Sequence, residues 1–338
     1  MKAIRQIPQK LYALIRTTKG KIAIGLFAIL FLLPLFLSRT YLGILGLTFL
    51  FVIIVVSWDL LVGYSGQLNL GHTLFVGFGA YTAGLLFLQE RFEVYELTAW
   101  LTGIPDIPKP VLVIIGGIIA ALVGIGTGVI CLRLKGFYLG LVTAVLPLIF
   151  MQAAGILAPL TGSYEGFTIG LKGALHPSPA GRYYYALIAM IISLGTIYYI
   201  INSRWGLIFE SIRDNENLAR SAGINTLKYK LLVFSLSAFF AGIAGGLWVF
   251  YEYTVGTHLV HIPLMLLVIL GAVLGGTGTF YGPIIGGFIV YILKMWVFQD
   301  LVKFLPLDLP PEMPLFILLI ILILTFPEGI IAKIKDII

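Results

Sequence analysis

The sequence predicts an all-α polytopic membrane protein, and three observations support this fold class. Hydrophobic residues make up 59% of the 338-residue chain and charged residues only 11%, whereas about a quarter of a soluble domain is charged. The mean hydropathy is +1.04. Apolar runs close to the length of about 20 residues that crosses a hydrocarbon core alternate with short polar or Gly/Pro-rich breaks.

Ten apolar runs give about ten predicted spans, including short or broken helices. They cover residues 22–37, 41–62, 70–88, 111–132, 137–157, 183–201, 231–250, 262–276, 281–298 and 315–331. The run 70–88 and the two runs after Ile262 are short and rich in glycine, so half-helices or re-entrant segments remain open there. An even number of spans places both termini on the same side of the membrane.

The positions of the basic residues predict which side that is. Residues 1–21 form a basic segment, and we interpret it as a retained cytoplasmic segment because no small-residue cleavage site follows it. Arg133, Lys135 and the stretch 203–230 are also basic, whereas acidic residues concentrate in residues 89–110. Basic loops stay in the cytoplasm, so both termini are predicted to be cytoplasmic in a cell (inner or plasma) membrane. Residues 22–338 then form a single transmembrane domain.

The charged segment, residues 203–230, is the longest charged passage and predicts one or two short amphipathic helices. Its apolar positions recur at helical spacing: Ile208, Ile212, Ala219 and Ala222. Glu216 lies four residues before Arg220, Asp214 is the predicted N-cap of an inner helix, and Gly223 is expected to end it. The narrow apolar face needs a surface outside the bilayer, which a soluble partner or the protein's own membrane ends could supply.

The polar break, residues 63–72, places polar side chains at membrane depth. Asp59, Gln67, Asn69 and His72 lie in it or just before it. Polar groups in a bilayer are costly, so these residues should face protein or water and are candidates for a substrate path. For Gln67 and Asn69 the alternative is a structural role in holding broken backbone together. Asp59 is close to the inner end of its span, where it could also sit at the interface.

The sequence predicts no catalytic residue, metal site or cofactor. His258 and His261 could supply two ligands beside Glu252, but Pro263 argues against a helix there and no H-E-x-x-H motif occurs. Neither a G-x-S-x-G motif nor a phosphate-binding loop is found. With Cys131 as the single cysteine, no internal disulfide or thiolate cluster can form. The energy for any transport must come from a partner or an ion gradient.

Five sequence blocks, in this order along the chain, resemble the LivM-type permease subunit of branched-chain amino acid ABC importers. They read GYSGQLNLGHTLFVGFGAYTAGLL at 63–86, GFYLGLVTAVLPLIF at 136–150, TGSYEGFTIG at 161–170, SRWGLIFESIRDNENLARSAGI at 203–224, and GGTGTFYGPIIGG at 275–287. Together they lie across most of the chain from about residue 59 to residue 287. Agreement in order over several blocks makes the resemblance specific.

The resemblance implies an ABC importer permease architecture with several partners. Two homologous permeases, expected here as a heterodimer, form a pore in the lipid bilayer; two cytoplasmic ABC ATPases bind the coupling segments, and an extracytoplasmic binding protein delivers the substrate. The residues implied in ATPase coupling are Glu210, Arg213, Asp214, Asn215, Glu216 and Gly223. Glu165, in the predicted outer loop 161–170, is a candidate contact for the binding protein.

The function implied is that of a permease subunit of an ATP-driven importer for branched-chain, apolar amino acids, without an ATPase site of its own. A member of the same family that carries urea or short amides remains open. An ion-coupled secondary transporter is the alternative from another class; it would use Asp59 as the ion-coupling group and would work without any ATPase. A nucleic-acid partner is not predicted, because the net charge of +7 is spread over loops between apolar runs.

Overall fold

The computed structural model describes residues 29–94, 102, 106–298 and isolated positions between 313 and 325. The predicted basic segment 1–21 lies outside the described residues, as do residues 22–28 of the predicted span 22–37 and most of the predicted span 315–331. The eight other predicted runs each coincide with a helix. The prediction of an all-α polytopic membrane protein is confirmed, with one very short strand pair added to it.

The helices with both ends in the described residues are α1 (Arg39–Ser65), α2 (Thr73–Phe87), α3 (Lys109–Cys131), α4 (Phe137–Ile156), α5 (Ala158–Thr161), α6 (Pro179–Ile201), α7 (Arg204–Asp214), α8 (Glu216–Ser221), α9 (Thr226–Glu252), α10 (Ile262–Gly275) and α11 (Tyr281–Ile292). Short 3-10 turns cover Leu33–Leu35, Gln89–Val94, Leu171–Gly173 and Thr257–Leu259, and a π-helical turn, Leu293–Phe298, follows α11. The strands β1 (Phe167–Thr168) and β2 (Thr254–Val255) pair antiparallel, with Phe167 opposite Val255.

Helix length separates full spans from partial ones. Within the described residues, α1, α3, α4, α6, α9 and the continuous stretch Thr257–Gly275 are long and apolar enough to cross a membrane. Helix α2 has 15 residues, or about 22 Å, which is short of a hydrocarbon core of about 30 Å. Helix α11 is shorter still, with 12 residues. The glycine-rich runs after residues 70 and 281 therefore form short helices, one of the alternatives that the sequence left open.

Helices α1 and α9 form the centre of the bundle. Helix α1 packs against α6, α9, α10 and α11, while α9 packs against α2 and α3 on its other side. Nearly every residue of α1 from Thr48 onward is buried, as expected for a helix that is apolar all around. Where α2 meets α9, a Cβ on Gly79 would overlap the backbone of Gly242. Small residues thus let these two helices pack backbone to backbone.

The loops divide between two ends of the bundle. At the charged end, defined here by α7, α8 and the start of α9, Lys135 of the turn after α3 lies 3.6 Å from Glu216. At the strand end, defined by β1 and β2, Arg91 donates to the Leu160 carbonyl at 3.0 Å and Lys109 to the Lys172 carbonyl at 2.7 Å. Among the described residues, the turn at Arg133–Lys135 and the segment 203–230, both predicted to be cytoplasmic, therefore lie at one end, and the loops predicted to be external lie at the other.

Candidate functional site

The charged segment forms two helices, but their boundary is one residue later than predicted. Asp214 was predicted to cap the second helix, and this is wrong because Asp214 is the last residue of α7. Asn215 has the extended backbone of a capping residue, φ −159° and ψ 102°. Its Oδ1 accepts from the backbone N–H groups of Asn217 at 3.0 Å and Leu218 at 3.1 Å. The Asp214 carboxylate instead accepts from Nε of Arg213 at 3.1 Å.

Gly223 ends the second helix as predicted. Its φ of +85° lies in the left-handed region, where glycine has no steric cost. Its N–H donates to the Arg220 carbonyl at 3.0 Å, and the N–H of Ile224 donates to the Ala219 carbonyl at 3.1 Å. This pair of bonds is the Schellman arrangement, which turns the chain sharply toward α9.

Glu216 is the centre of a charge cluster at the charged end. Its Oε2 lies 2.7 Å from Nζ of Lys230 and 3.6 Å from Nζ of Lys135. Its Oε1 lies 3.1 Å from Nη2 of Arg220, which confirms the predicted ion pair, and 3.3 Å from Oγ1 of Thr226. Burial alone would raise the pKa of Glu216, but the hydrogen bond and charge of Lys230, then Lys135 and Thr226, outweigh burial and lower it.

The cluster ties three elements together. Lys230, in α9, has a side chain only 6% exposed, so its charge depends on the Glu216 carboxylate for compensation. Lys135 belongs to the turn after α3. Helix α8 is therefore held to α9 and to the turn after α3 through one carboxylate.

A second contact connects α7 to the spans. Nη1 of Arg213 donates to the Gly63 carbonyl near the end of α1 at 2.9 Å. Beside it, Asp59 accepts from the N–H of Gly278 at 2.9 Å, in the turn between α10 and α11. Asp59 is buried among protein groups at the end of α1 that faces α7. These bonds connect the charged segment to α1, α10 and α11 and give Asp59 a structural partner.

Gln67 and Asn69 bond to backbone within and beside the polar break. Nε2 of Gln67 donates to the Ser65 carbonyl at 2.9 Å. The side-chain Oδ1 of Asn69 accepts from the N–H of Gly71 at 2.8 Å. The backbone carbonyl of Asn69 accepts from Nε1 of Trp58 at 2.7 Å. These bonds stabilise a non-helical backbone between α1 and α2, so they favour the structural alternative for Gln67 and for the Oδ1 atom of Asn69.

His72 is buried at the start of α2, where its Nε2 lies 2.9 Å from Oγ of Ser57. Among the described residues, neither Nδ1 of His72 nor Nδ2 of Asn69 has a hydrogen-bond partner. The N–H of Leu70 donates to Oγ1 of Thr143 at 3.1 Å, so the polar break also packs against α4. Unpartnered buried polar atoms are uncommon, and they keep His72 and Asn69 as candidates for contact with a passing substrate.

The surface of the charged segment presents leucines that the sequence reasoning missed. Leu218 of α8 and Leu207 of α7 are each 68% exposed. Arg213 and Glu216 face the bundle, whereas Asp214, Asn215 and Gly223 face outward and Glu210 is half-buried. The available signal was an apolar residue on the polar side of each helix.

The remaining predicted residues lie at the strand end. Glu165 is exposed and follows Tyr164, whose carbonyl accepts from Oγ1 of Thr257 at 2.6 Å. His258 has its Nε2 3.8 Å from Oε2 of Glu252, and His261 lies on the next turn. Within the described ranges, no group of three His, Cys, Asp or Glu side chains could hold a metal ion.

These features define a multi-pass helical membrane protein in which a charged segment outside the spans is fixed to them by side-chain bonds. The chain belongs to the family described as branched-chain amino acid transport system / permease component, which matches residues 40–326. It is 29% identical to the high-affinity branched-chain amino acid transport system permease protein LivM of Escherichia coli (strain K12). Its identity to LivM of Salmonella typhimurium is 27%.

The alignments cover only part of each protein. Each alignment with LivM covers 77% of this chain and 64% of the relative, so the chain spans about 64% of the length of these relatives. The autoinducer 2 import system permease protein LsrC of Yersinia pseudotuberculosis is 30% identical over 40% of this chain and 41% of its own length. No solved structure matches the chain.

Proposed function

We propose that this chain is a permease subunit of an ATP-driven ABC importer for branched-chain amino acids, acting without an ATPase site of its own. The observation that carries the proposal is the charged segment, which bonds to the spans through Arg213 and Glu216 and leaves Leu207 and Leu218 exposed. The family and the two LivM relatives support the choice of substrate class. The chain would pair with a homologous permease, two cytoplasmic ATPases and an extracytoplasmic binding protein.

Force from an ATPase would reach the spans by two routes. A push on α7 passes through Arg213 to the end of α1 and to the turn at Gly278. A push on α8 passes through Glu216 to Lys230 in α9 and to Lys135 after α3. Because both routes end on helix termini, α7 and α8 would move the spans as rigid bodies.

The proposal fixes an orientation and assigns roles to the remaining candidates. The charged end and both termini would be cytoplasmic in the cell membrane, in agreement with the basic residues there. Glu165, exposed at the strand end, would contact the binding protein. Asn69 and His72, each with an unpartnered buried nitrogen, would line or support the substrate path.

The test is co-purification of the detergent-solubilised chain with candidate ATPases. Leu218→Glu places a charge on the exposed face of α8 and should weaken ATPase retention by about tenfold or more. The matched control is Leu171→Glu, since Leu171 is also exposed but lies at the strand end; it should retain the ATPases. Equal thermal stability of both variants would separate lost binding from misfolding.

One outcome would overturn the proposal: the wild-type chain associates with no ATPase, and the reconstituted chain alone takes up leucine when an ion gradient is imposed. The chain is then a secondary transporter, and Asp59 becomes its candidate coupling group. Uptake into ATP-loaded proteoliposomes containing the full complex separates leucine from urea and acetamide. Preference for the amides would assign the chain to the alternative substrate class.

A further inference from the structure

A short turn, residues 132–136, joins two membrane-spanning helices at the charged end. Helix α3 ends at Cys131 and α4 begins at Phe137, and both helices are long and apolar enough to cross a bilayer. A turn this short cannot extend far from the two spans, so its side chains lie at the level of the lipid headgroups. Its basic residues, Arg133 and Lys135, are both exposed there.

The residues that flank the turn are apolar and exposed. Phe137 and Tyr138, at the start of α4, are 67% and 70% exposed, and Ile130, at the end of α3, is 70% exposed. Exposed aromatic side chains at the end of a span are typical of the membrane–water interface. A lipid whose acyl chain lies against these residues would have its phosphate beside Arg133 and Lys135.

The charges around Lys135 do not balance. Its ion-pair partner Glu216 is shared with Lys230 at 2.7 Å and Arg220 at 3.1 Å. Lys135 lies 3.6 Å from Glu216, which is beyond hydrogen-bond distance, and its side chain is 67% exposed. Arg133 forms no ion pair with another described residue. Three cations thus share one carboxylate, and the turn keeps positive charge available for another anion.

We propose that Arg133 and Lys135 bind the phosphate of an anionic phospholipid, with its acyl chains along the exposed apolar side of α3 and α4. An acidic surface of a soluble protein fits less well, because it would leave Phe137 and Tyr138 against polar groups. Lys135 then has the lipid phosphate on one side and Glu216 of α8 on the other. The inference requires only that α3 and α4 span a bilayer, so it does not rest on the proposed function.

The experiment measures binding of dioleoylphosphatidylglycerol to the detergent-solubilised full chain by native mass spectrometry. Dioleoylphosphatidylcholine, which is zwitterionic, is the comparison. Each basic residue at headgroup level contributes about fivefold to the binding of an anionic lipid. The first phosphatidylglycerol should therefore bind at least about tenfold more tightly than phosphatidylcholine. Excess glycerol 3-phosphate, which carries the phosphate without acyl chains, should not displace it.

Two paired variants test the residues of the turn. Arg133→Gln with Lys135→Gln should weaken binding of the first phosphatidylglycerol by about tenfold or more. The matched control, Arg133→Lys with Lys135→Arg, keeps both charges and should bind within about twofold of the wild type. Lys172→Gln, an exposed change at the strand end, should also leave binding unchanged.

Three results would overturn the inference: equal binding of the two lipids, displacement by glycerol 3-phosphate, or unchanged phosphatidylglycerol binding by the double glutamine variant in a chain that melts like the wild type. If that variant also loses the ATPases, the turn contacts a protein instead. ATP-driven leucine uptake by the full complex with any of these results would leave the proposed function standing. Charge-dependent lipid binding by a chain that retains no ATPase would support the site and refute the importer assignment.

Discussion

Removal of the Glu216 charge is the most informative perturbation of the charged end. Glu216→Gln keeps the shape of the side chain and one acceptor oxygen but leaves the Lys230 ammonium, 6% exposed, without its counter-charge. Breaking a fully buried ion pair from one side costs about 3–5 kcal/mol. Because Glu216 is itself 19% exposed, water offsets part of this, and we expect a loss of about 2–3 kcal/mol.

The assay is thermal unfolding of the purified chain in detergent. At about 2.1 cal/mol/K of unfolding entropy per residue, a loss of that size should lower the apparent melting temperature by roughly 3–4 °C. Arg220→Gln is the matched control, because Arg220 also pairs with Glu216 but is 63% exposed. It should cost less than about 0.5 kcal/mol.

A double variant tests the reasoning directly. Glu216→Gln combined with Lys230→Met removes both buried charges, so its stability should return to within about 1 kcal/mol of the wild type. The cycle should give a coupling energy of about 2 kcal/mol between the two positions. If Glu216→Gln melts like the wild type, or if the two changes are simply additive, Lys230 does not depend on Glu216 and the reasoning is refuted.

Three other predictions concern acid stability, helix packing and Asp59. The pKa of Glu216 in the folded chain lies below its ordinary value of 4.5. The stability that the Glu216 carboxylate contributes is therefore complete above pH 4.5 and is lost as the pH falls through the folded pKa. Glu216→Gln should reduce this fall in the unfolding free energy at acid pH. Gly79→Ala, which forces a Cβ into the backbone of α9, should lower the melting temperature, while Gly126→Ala, with open space around it, should not; equal melting would contradict this packing. Asp59→Asn keeps an acceptor for the Gly278 N–H and should preserve both stability and ATP-driven uptake, whereas Asp59→Leu should cost about 1–3 kcal/mol of stability. Loss of uptake in a stable Asp59→Asn variant would favour ion coupling instead.

The hypothesis of two short helices shows where local reasoning succeeds and where it stops. Gly223 and the Glu216–Arg220 pair were predicted correctly, because a helix end and an i, i+4 pair depend on residues within one or two turns. Asp214 and Asn215 are both good capping residues, and nothing local chooses between them. Burial of Phe209 and Ile212 in α7 accompanies a helix that continues through Asp214, so the cap is Asn215.

The polar residues near the break show a second limit of reasoning from the sequence alone. From the sequence, Asp59, Gln67, Asn69 and His72 were all candidates for a substrate path, with a structural role also open for Gln67 and Asn69 and an interfacial position for Asp59. The structure separates them, because Gln67 bonds to nearby backbone, whereas His72 and Asn69 each keep an unpartnered nitrogen. Leu207 and Leu218 were missed because hydropathy alone cannot tell an exposed leucine from a buried one.

The sequence by itself determined the class of protein, the positions of most spans and the grouping of loops, because hydropathy, helical period and the distribution of Lys and Arg are local properties of the chain. Only the tertiary structure decided which groups the Asp59 and Arg213 side chains bond to. Asp59 bonds to a backbone N–H 219 positions away, and Arg213 bonds to a carbonyl 150 positions away. Such partners are set by how the helices pack in three dimensions, and no spacing within a single sequence encodes that packing.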